Sequence, residues 1–274
     1  MTDHRFDTDR PVQLFAEIGK GSVQVVATDT TETRVEVTGR DADLVDVRQD
    51  GDRISVVGPK QRTGIFGGDN SLEVVVTLPT TSDVAIKTGS ADITLTGTVG
   101  SGQLRSGSGD VEIDAADGPL LVETGSGDIR VEEAHAALKA KSGSGDVLVV
   151  DAAAPLQVST GSGDVQLWTT RAPAVVKTGS GDVKVGDAGT DVTMTTGSGD
   201  LVVSTARRGR LTAKGASGDV HVGIPAGVPV WTDISTVSGE IRSNLHGAGK
   251  PQEGADHVEL RAKVVSGDIV LTEV

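Results

Sequence analysis

The phrase Gly107-Ser108-Gly109-Asp110-Val111 decides the fold, because the chain repeats it at a fixed interval. It returns at Gly125, Gly143, Gly161, Gly179 and Gly197, after a near-copy that begins at Gly89. Consecutive copies are 18 residues apart. A fixed period of this kind is typical of a repeat architecture, in which each repeat is one structural unit that stacks on the next.

Apolar residues keep fixed places when each repeat is numbered from its first glycine. Positions 5 and 7 are apolar, as in Val111 and Ile113, and so are positions 14 and 16, as in Leu120 and Val122. Side chains alternate between the two faces of a strand, so the inward parity changes twice per repeat, and each change needs a corner. The pattern predicts an all-β fold, a β-solenoid with 18-residue two-strand coils, whose equivalent strands pair in parallel and whose crossovers are right-handed.

Two other architectures are compatible with strands or repeats of this length. A left-handed hexapeptide helix needs aliphatic residues at positions 5, 11 and 17, but Asp117, Arg171 and Glu123 stand at the last two, so this helix is excluded. An antiparallel meander, with each phrase as a hairpin turn, stays open. The solenoid is favoured because hairpins have no need of identical lengths.

The regular repeats occupy residues 88–205, and the flanking segments are less regular. For residues 1–87 we expect antiparallel or mixed strands, with a hairpin at Asp50-Gly51. They would form a β cap continuous with the solenoid, because an uncapped end offers unpaired backbone groups to other chains. Residues 206–274, with a polar loop at 244–257, are expected to form irregular C-terminal coils of the same elongated domain.

Composition narrows the classes of function. The net charge of −14 argues against nucleic-acid binding, which needs clustered Lys and Arg. The aromatic fraction is 2%, with no Tyr, which leaves no platform for stacking bases or sugars. The chain has no cysteine, no apolar signal region at its start and no stretch of the roughly 18 apolar residues that a membrane helix needs. We therefore expect a cytoplasmic protein, with a surface-associated one as the alternative.

The repeated phrase is predicted to form one of the two corners of each coil, where the chain turns from one strand to the next. Its glycines supply backbone conformations that other residues avoid, and the side chains of Ser108 and Asp110 can hydrogen-bond nearby backbone amides. Coil stacking places the aspartates about 5 Å apart, where neighbouring carboxylates repel by about 1 kcal/mol in water. Backbone N–H groups, splayed side chains or cations would offset this repulsion.

Calcium is the specific alternative for these aspartates, because it takes several oxygen ligands. The second corner lacks the Gly/Asp motif of calcium-loaded β-rolls, so no cofactor is expected. The candidate calcium ligands are Asp110, Asp128, Asp146, Asp164, Asp182 and Asp200.

No constellation of residues indicates catalysis. The histidines are His4, His135, His221, His246 and His257, and none lies in a recognisable nucleophile motif or at metal-ligand spacing. There is no Gly-Lys-Ser/Thr phosphate loop. We predict that the protein is not an enzyme. A carbohydrate-active β-helix is the catalytic alternative, and it would need acidic and basic side chains in one groove.

One apolar spot interrupts the otherwise mixed outward positions. Leu148, Val150 and Trp168 occupy outward positions of adjacent repeats, so they are candidates for an interaction surface with a protein partner or a second copy of the chain. Alternatively, another segment folds over them. Trp231 is expected in a C-terminal cap. These residues predict that Trp168→Ala weakens partner binding or self-association with little loss of stability.

Two parts of the chain resemble a bacterial family of β-strand-repeat proteins. One part is the set of repeated phrases from Thr88 to about Ile269, and the other is the opening Glu17-Ile18-Gly19-Lys20-Gly21-Ser22-Val23-Gln24-Val25. The family is known as "putative adhesins", a domain of unknown function common in actinobacteria. The resemblance implies a β-helical, often envelope-associated scaffold and supplies no catalytic residues. The sequence therefore predicts a non-enzymatic β-solenoid scaffold or protein-interaction module, with a calcium-stabilised, adhesin-like surface protein as the alternative.

Overall fold

The computed structural model describes residues 1–59, 71–246 and 256–274 of the chain. Within them the fold is all-β, with 25 strands and one short 3-10 turn at Ala42–Leu44. The strands form two compact units, Met1–Ala140 and Lys141–Val274. The predicted boundaries after residues 87 and 205 are not tested by this division and stay a prediction.

The first unit contains strands β1 to β12, the last of which runs two residues past its end. Their bounds are β1 Thr2–Asp7, β2 Gln13–Thr28, β3 Glu32–Gly39, β4 Asp46–Asp50, β5 Arg53–Val57, β6 Leu72–Pro79, β7 Asp83–Val99, β8 Gly102–Ser106, β9 Val111–Ala116, β10 Leu120–Thr124, β11 Ile129–Ala134 and β12 Leu138–Ser142.

The second unit contains strands β13 to β25. Their bounds are β13 Val147–Ala152, β14 Leu156–Thr160, β15 Val165–Thr170, β16 Ala174–Thr178, β17 Val183–Ala188, β18 Val192–Ser198, β19 Leu201–Ala206, β20 Gly209–Ser217, β21 Val220–Ile224, β22 Val230–Ser238, β23 Ile241–Ser243, β24 Val258–Ser266 and β25 Ile269–Glu273.

Both units are β-solenoids, as the 18-residue period predicts. In the first unit β9 pairs in parallel with β11, and Val111 lies opposite Ile129. In the second unit β15 pairs in parallel with β17, and Val165 lies opposite Val183. Each register shift equals one repeat, so each repeat is one coil. The parallel pairing excludes the antiparallel meander for these strands.

The predicted inward faces form the core. Val111 and Ile113 of β9 are buried, and so are Leu120 and Val122 of β10. The parity therefore changes at both corners, as expected. The outward residues between them are exposed or half-buried, and these are the positions that present side chains to other molecules.

The first unit also contains the mixed strands expected for its N-terminal part. β3 pairs antiparallel with β6 and β1, and β4 pairs antiparallel with β5 around Gly51, which has a φ of +59°. The predicted Asp50-Gly51 hairpin is therefore confirmed. β2 stacks in parallel on β7 and aligns Gly21 with Ala91 and Ser22 with Asp92. The segment Gly19–Ser22 is thus a divergent copy of the repeated phrase.

The last coils of the second unit do not stack in the order of the chain. β24 and β25 pair with β20 and β21, whereas β22 and β23 pair with the other side of β24 and β25. The final strands of the chain therefore lie between two earlier coils, and β22 with β23 forms the outermost coil. The predicted polar loop at 244–257 lies largely outside the described residues.

Candidate functional site

A row of aspartates follows the glycine corner in each unit. One carboxylate oxygen of each aspartate accepts the backbone N–H of the acidic residue in the next coil. The Asp128 nitrogen lies 2.8 Å from Asp110 Oδ1, and the Asp182 nitrogen lies 2.8 Å from Asp164 Oδ1. We call these rows the aspartate ladders. They consist of Asp92, Asp110 and Asp128 in the first unit and of Asp146, Asp164, Asp182, Asp200, Asp219, Asp268 and Glu240 in the second.

The ladders show how stacked carboxylates are tolerated. One oxygen, Oδ1, of the aspartate receives a hydrogen bond from a peptide N–H, as at Asp110 and Asp164, and bonds to a charged acceptor are among the stronger hydrogen bonds. The side chains are exposed or half-buried, so water and salt screen the remaining repulsion. In the described ranges, no group of three or more His, Asp or Glu side chains is arranged to hold a metal ion. A calcium titration tests the alternative of a cation at the six candidate aspartates.

Buried hydroxyl groups support the same corner from inside. Position 18 is Ser or Thr, and in the repeats from Ser106 to Thr178 its oxygen accepts the N–H of the glycine three residues later, as from Gly163 to Thr160 Oγ1 at 3.1 Å. The Thr160 hydroxyl also donates to the carbonyl oxygen of Gly145 in the preceding coil, at 3.2 Å. The serine at position 2, which was expected to make such bonds, is exposed, as at Ser162. The sequence feature that could have revealed this role of position 18 is the recurrence of a hydroxyl residue at an inward position in every repeat.

The glycines of the phrase allow the coils to stack closely. A Cβ atom on Gly163 would lie 2.1 Å from the carbonyl oxygen of Gly145. Gly163 has no positive φ, whereas Gly199 of the last regular copy and the irregular copies do, with +150° at Gly199, +124° at Gly218 and +142° at Gly267. Close approach of two backbones therefore explains the glycine at Gly163. The conformational reason expected from the sequence is added to it from Gly199 onward.

The second corner carries ion pairs between neighbouring coils. In the first unit His135 Nδ1 lies 2.8 Å from Asp117 Oδ1, and His135 Nε2 lies 3.2 Å from Glu133 Oε2. The hydrogen bond to Asp117, assisted by the one to Glu133, raises the pKa of His135 above its usual value. In the second unit Arg207 Nε lies 2.8 Å from Asp187 Oδ1. The Asp117–His135 and Asp187–Arg207 contacts are exposed and link neighbouring coils electrostatically. Both ring nitrogens of His135 are hydrogen-bonded to carboxylates, so neither is paired with a hydroxyl group that could act as a nucleophile.

The predicted apolar residues come together on one outward face of the second unit. Leu148 and Val150 of β13 are half-buried, and Trp168 of the adjacent β15 is 55% exposed. The register sets Leu148 opposite Gln166, and Val150 and Trp168 lie two residues further along. On the other side of Trp168 the equivalent residue of β17 is Gly186, which has no side chain. The indole is thus open to solvent. We call Leu148, Val150 and Trp168 the Trp168 surface.

A second exposed apolar region was not found from the sequence. Trp231 is 64% exposed and Val237 is 83% exposed, both on β22, and Ile241 of β23 is 47% exposed. The expectation of a C-terminal cap around Trp231 placed it in the right part of the chain but did not reveal that β22 is the outermost strand. We call β22 and β23 together the β22 edge.

No helix in the described parts of the chain has the length and apolar character required to cross a membrane.

Several solved structures are similar to this chain over nearly its whole length. A "putative adhesin" from Bacteroides fragilis is 12% identical with a TM-score of 0.44, and 98% of this chain and 96% of that chain are covered. A "putative lipid binding protein" from Parabacteroides distasonis is 13% identical with a TM-score of 0.48, and 100% of this chain and 96% of that chain are covered. At such low identity and TM-score, these structures carry no conclusion about function.

The family comparison is more informative. No curated protein matches the chain. The model of the Toastrack family, DUF4097, matches residues 14–171 and 120–272, which together take in the strands of both solenoid units from β2 onward. The resemblance expected from the repeated phrase is thereby confirmed at the level of a β-repeat family of unknown function, and the chain belongs to the Toastrack family, DUF4097.

Proposed function

We propose that this chain is a non-enzymatic scaffold that binds a protein partner through the Trp168 surface. The observation that carries the proposal is the exposure of Trp168, at 55%, beside two further apolar side chains. Tryptophan is enriched among the residues that dominate binding energy in protein interfaces. An exposed apolar cluster with a polar surround is typical of such a contact.

The scaffold presents this surface with little freedom. β13 and β15 are paired on both sides of the Val150 and Trp168 position, and the inward neighbours Val149 and Leu167 are fully buried. The outward side chains are therefore held on a rigid parallel sheet. Binding at this surface therefore costs this chain less conformational entropy than binding that must order a loop.

The surroundings of the Trp168 surface favour a protein over other ligands. Gln166 and Lys184 lie on the same outward face and supply a polar rim. The net charge of −14 disfavours a polyanion such as nucleic acid. We expect the partner to contribute an apolar side chain that covers the indole and hydrogen-bonding groups that meet the rim.

The test is affinity capture from native cytosol with wild type, Trp168→Ala and Gln157→Ala. Gln157 is exposed on β14, which belongs to the coil of Leu148 and Val150 but pairs with β16 instead of β15, so it serves as the control. A partner of the Trp168 surface is captured by wild type and by Gln157→Ala, and its affinity for Trp168→Ala falls about tenfold or more. The Tm should change little, because the indole is mostly in water.

Two results would contradict the proposal. Proteins captured equally by wild type and by both variants would place the binding surface elsewhere. A large fall in the Tm of Trp168→Ala would show that the indole packs inside the fold and contributes to stability instead of binding.

A further inference from the structure

The outermost coil of the second unit ends in two open strand edges. Among the described residues β22 pairs only with β24, and β23 pairs only with β25. The free side of each strand therefore carries backbone N–H and C=O groups with no strand next to them in the described chain. Such edges readily pair with strands of other chains.

In the described part of the chain, no covering layer lies on the inward face of this coil. β24 has its inward residues Leu260 and Ala262 fully buried, whereas the residues paired with them, Thr232 and Ile234 of β22, are exposed and half-buried. A cavity of about 320 Å³ opens here, and Ile234, Ser243 and Leu271 are among its lining residues. The coil is thus built like the other coils but is incomplete on one side.

We propose that the β22 edge is a homodimer interface, in which β22 pairs antiparallel with β22 of a second copy of this chain about a two-fold axis at Ile234. The proposal concerns a different surface from the Trp168 surface and does not depend on it. Isologous two-fold contacts of this kind are the commonest way in which soluble proteins form dimers.

The sequence of β22 is self-complementary in that register. With Ile234 opposite itself, Trp231 lies opposite Val237 of the second copy on the outward face. The two most exposed apolar side chains of the strand therefore cover each other, once on each side of the axis. Thr232 lies opposite Thr236 on the inward face, where the two Ile234 side chains meet and close the cavity. Apolar and Thr–Thr pairs of this type stabilise antiparallel strands.

The charged groups of β22 are compatible with the pairing. Asp233 would lie opposite Ser235 of the second copy, so no like charges of β22 face each other directly. Asp233 Oδ2 already lies 3.6 Å from Lys263 Nζ, and Arg242 lies 2.6 Å from a Glu240 oxygen. The interface would therefore bury ion pairs that exist in the monomer and not isolated charges.

A second copy fits this edge better than an extended peptide. A single added strand would cover β22 or β23 but not both. A two-fold axis that passes through the cavity between the two sheets pairs β22 with β22 and β23 with β23 at once. It also supplies the missing layer of apolar side chains from the partner's own incomplete coil.

The test uses sedimentation velocity over a range of protein concentrations. We expect wild type to form a dimer, and Trp231→Lys with Val237→Lys to remain monomeric, because lysines then face lysines across the axis. Trp231→Glu with Val237→Glu should also be monomeric. A mixture of the two double variants should dimerise, because each lysine then faces a glutamate. All four substitutions lie at exposed side chains, so the Tm of each variant should stay near that of wild type.

The register is tested separately with single cysteines, which is clean because the chain has none. Ile234→Cys should form an intermolecular disulfide on oxidation, since residues directly opposite have Cα atoms about 4.5–5.5 Å apart. Ser235→Cys should not, because its copies would be about 8 Å apart, beyond disulfide reach.

The proposal is overturned by a wild type that stays monomeric at all concentrations, by open-ended oligomers, or by double variants that dimerise alone as wild type does. Equal crosslinking of Ile234→Cys and Ser235→Cys would overturn the register. Retention of a dimer by Trp168→Ala is expected, so this outcome also separates the interface from the proposed partner site.

Discussion

Gly163 shows at the scale of one residue why position 3 of the phrase carries no side chain. The carbonyl oxygen of Gly145 in the preceding coil occupies the place that a Cβ would need. Gly163 N–H is bonded to the buried Thr160 hydroxyl at 3.1 Å, which fixes its orientation. The backbone cannot move away without breaking the hydrogen bonds of two adjacent coils.

We therefore expect Gly163→Ala to destabilise the protein, by about 1–3 kcal/mol, as for other overpacked sites. The measurement is chemical denaturation of the variant and of wild type. Ser162→Ala is the matched control, because Ser162 is the exposed neighbour in the same phrase, and its effect should stay within about 0.5 kcal/mol. Equal stability of the two variants would show that the coils can separate at little cost.

At the scale of the element, the aspartate ladder combines attraction and repulsion. Asp182 accepts the N–H of Asp200 at 2.7 Å and donates its own N–H to Asp164. Its negative charge also stands between two others in neighbouring coils. The hydrogen bonds need an oxygen acceptor but not a charge, so the two effects can be separated by substitution.

Asp182→Asn should raise the Tm by roughly 1–3 °C at low ionic strength, because the amide oxygen still accepts the N–H, although as a weaker acceptor than the carboxylate, while the repulsion from the two neighbouring carboxylates is removed. Added salt should reduce this gain as it screens the charges.

Calcium should act only through ionic strength, so calcium and sodium chloride at matched ionic strength should give the same Tm. A specific rise of the wild-type Tm with millimolar calcium, lost in Asp182→Asn, would instead support a cation site.

The regular coils and the Trp168 surface could be predicted because strand parity is local. Val111 and Ile113, two residues apart, identify one inward face, and the same count places Trp168 outward. β1 could not be identified individually within residues 1–87, because its apolar content is limited to single residues such as Phe6 among charged ones. Its pairing with β3 depends on a neighbour that the local pattern does not name.

The order of the last coils could not be predicted, because the phrase identifies equivalent positions but not the neighbour on which a coil stacks. β22 and β24 both end in Val-Ser and are followed by Gly and an acidic residue. Their inward residues differ, since Thr232 and Thr236 stand where β24 has Leu260 and Val264. This higher polarity marks β22 as the outermost strand, but it can be interpreted only once the pairing is known.

At the scale of the whole molecule, coils behave as interchangeable layers. In the second unit β13, β15, β17 and β19 follow one another with the same register shift of 18 residues. Each coil contacts mainly its neighbours, so stability in such a stack is close to a sum of coil and interface terms. Removal of a whole coil should therefore leave the remaining layers in register.

Deletion of residues 161–178 should give a folded protein with the β-sheet circular dichroism of wild type and a lower Tm. The deletion joins Thr160 to Gly179 and restores the phrase at the junction. Deletion of residues 161–169 is the control. It removes half a coil and joins Thr160 to Thr170, so it should abolish cooperative unfolding because inward residues would turn outward. A cooperative transition in the control would contradict the layered arrangement.

The placement of the two tryptophans gives this protein an unusual optical property. The chain contains no tyrosine, and its only indoles, Trp168 and Trp231, are both largely in water. Its near-ultraviolet fluorescence therefore originates at the surface and carries almost no signal from the core. One fluorophore stands on each of the two proposed contact surfaces, so the emission of a variant that keeps a single indole reports the occupancy of one surface alone.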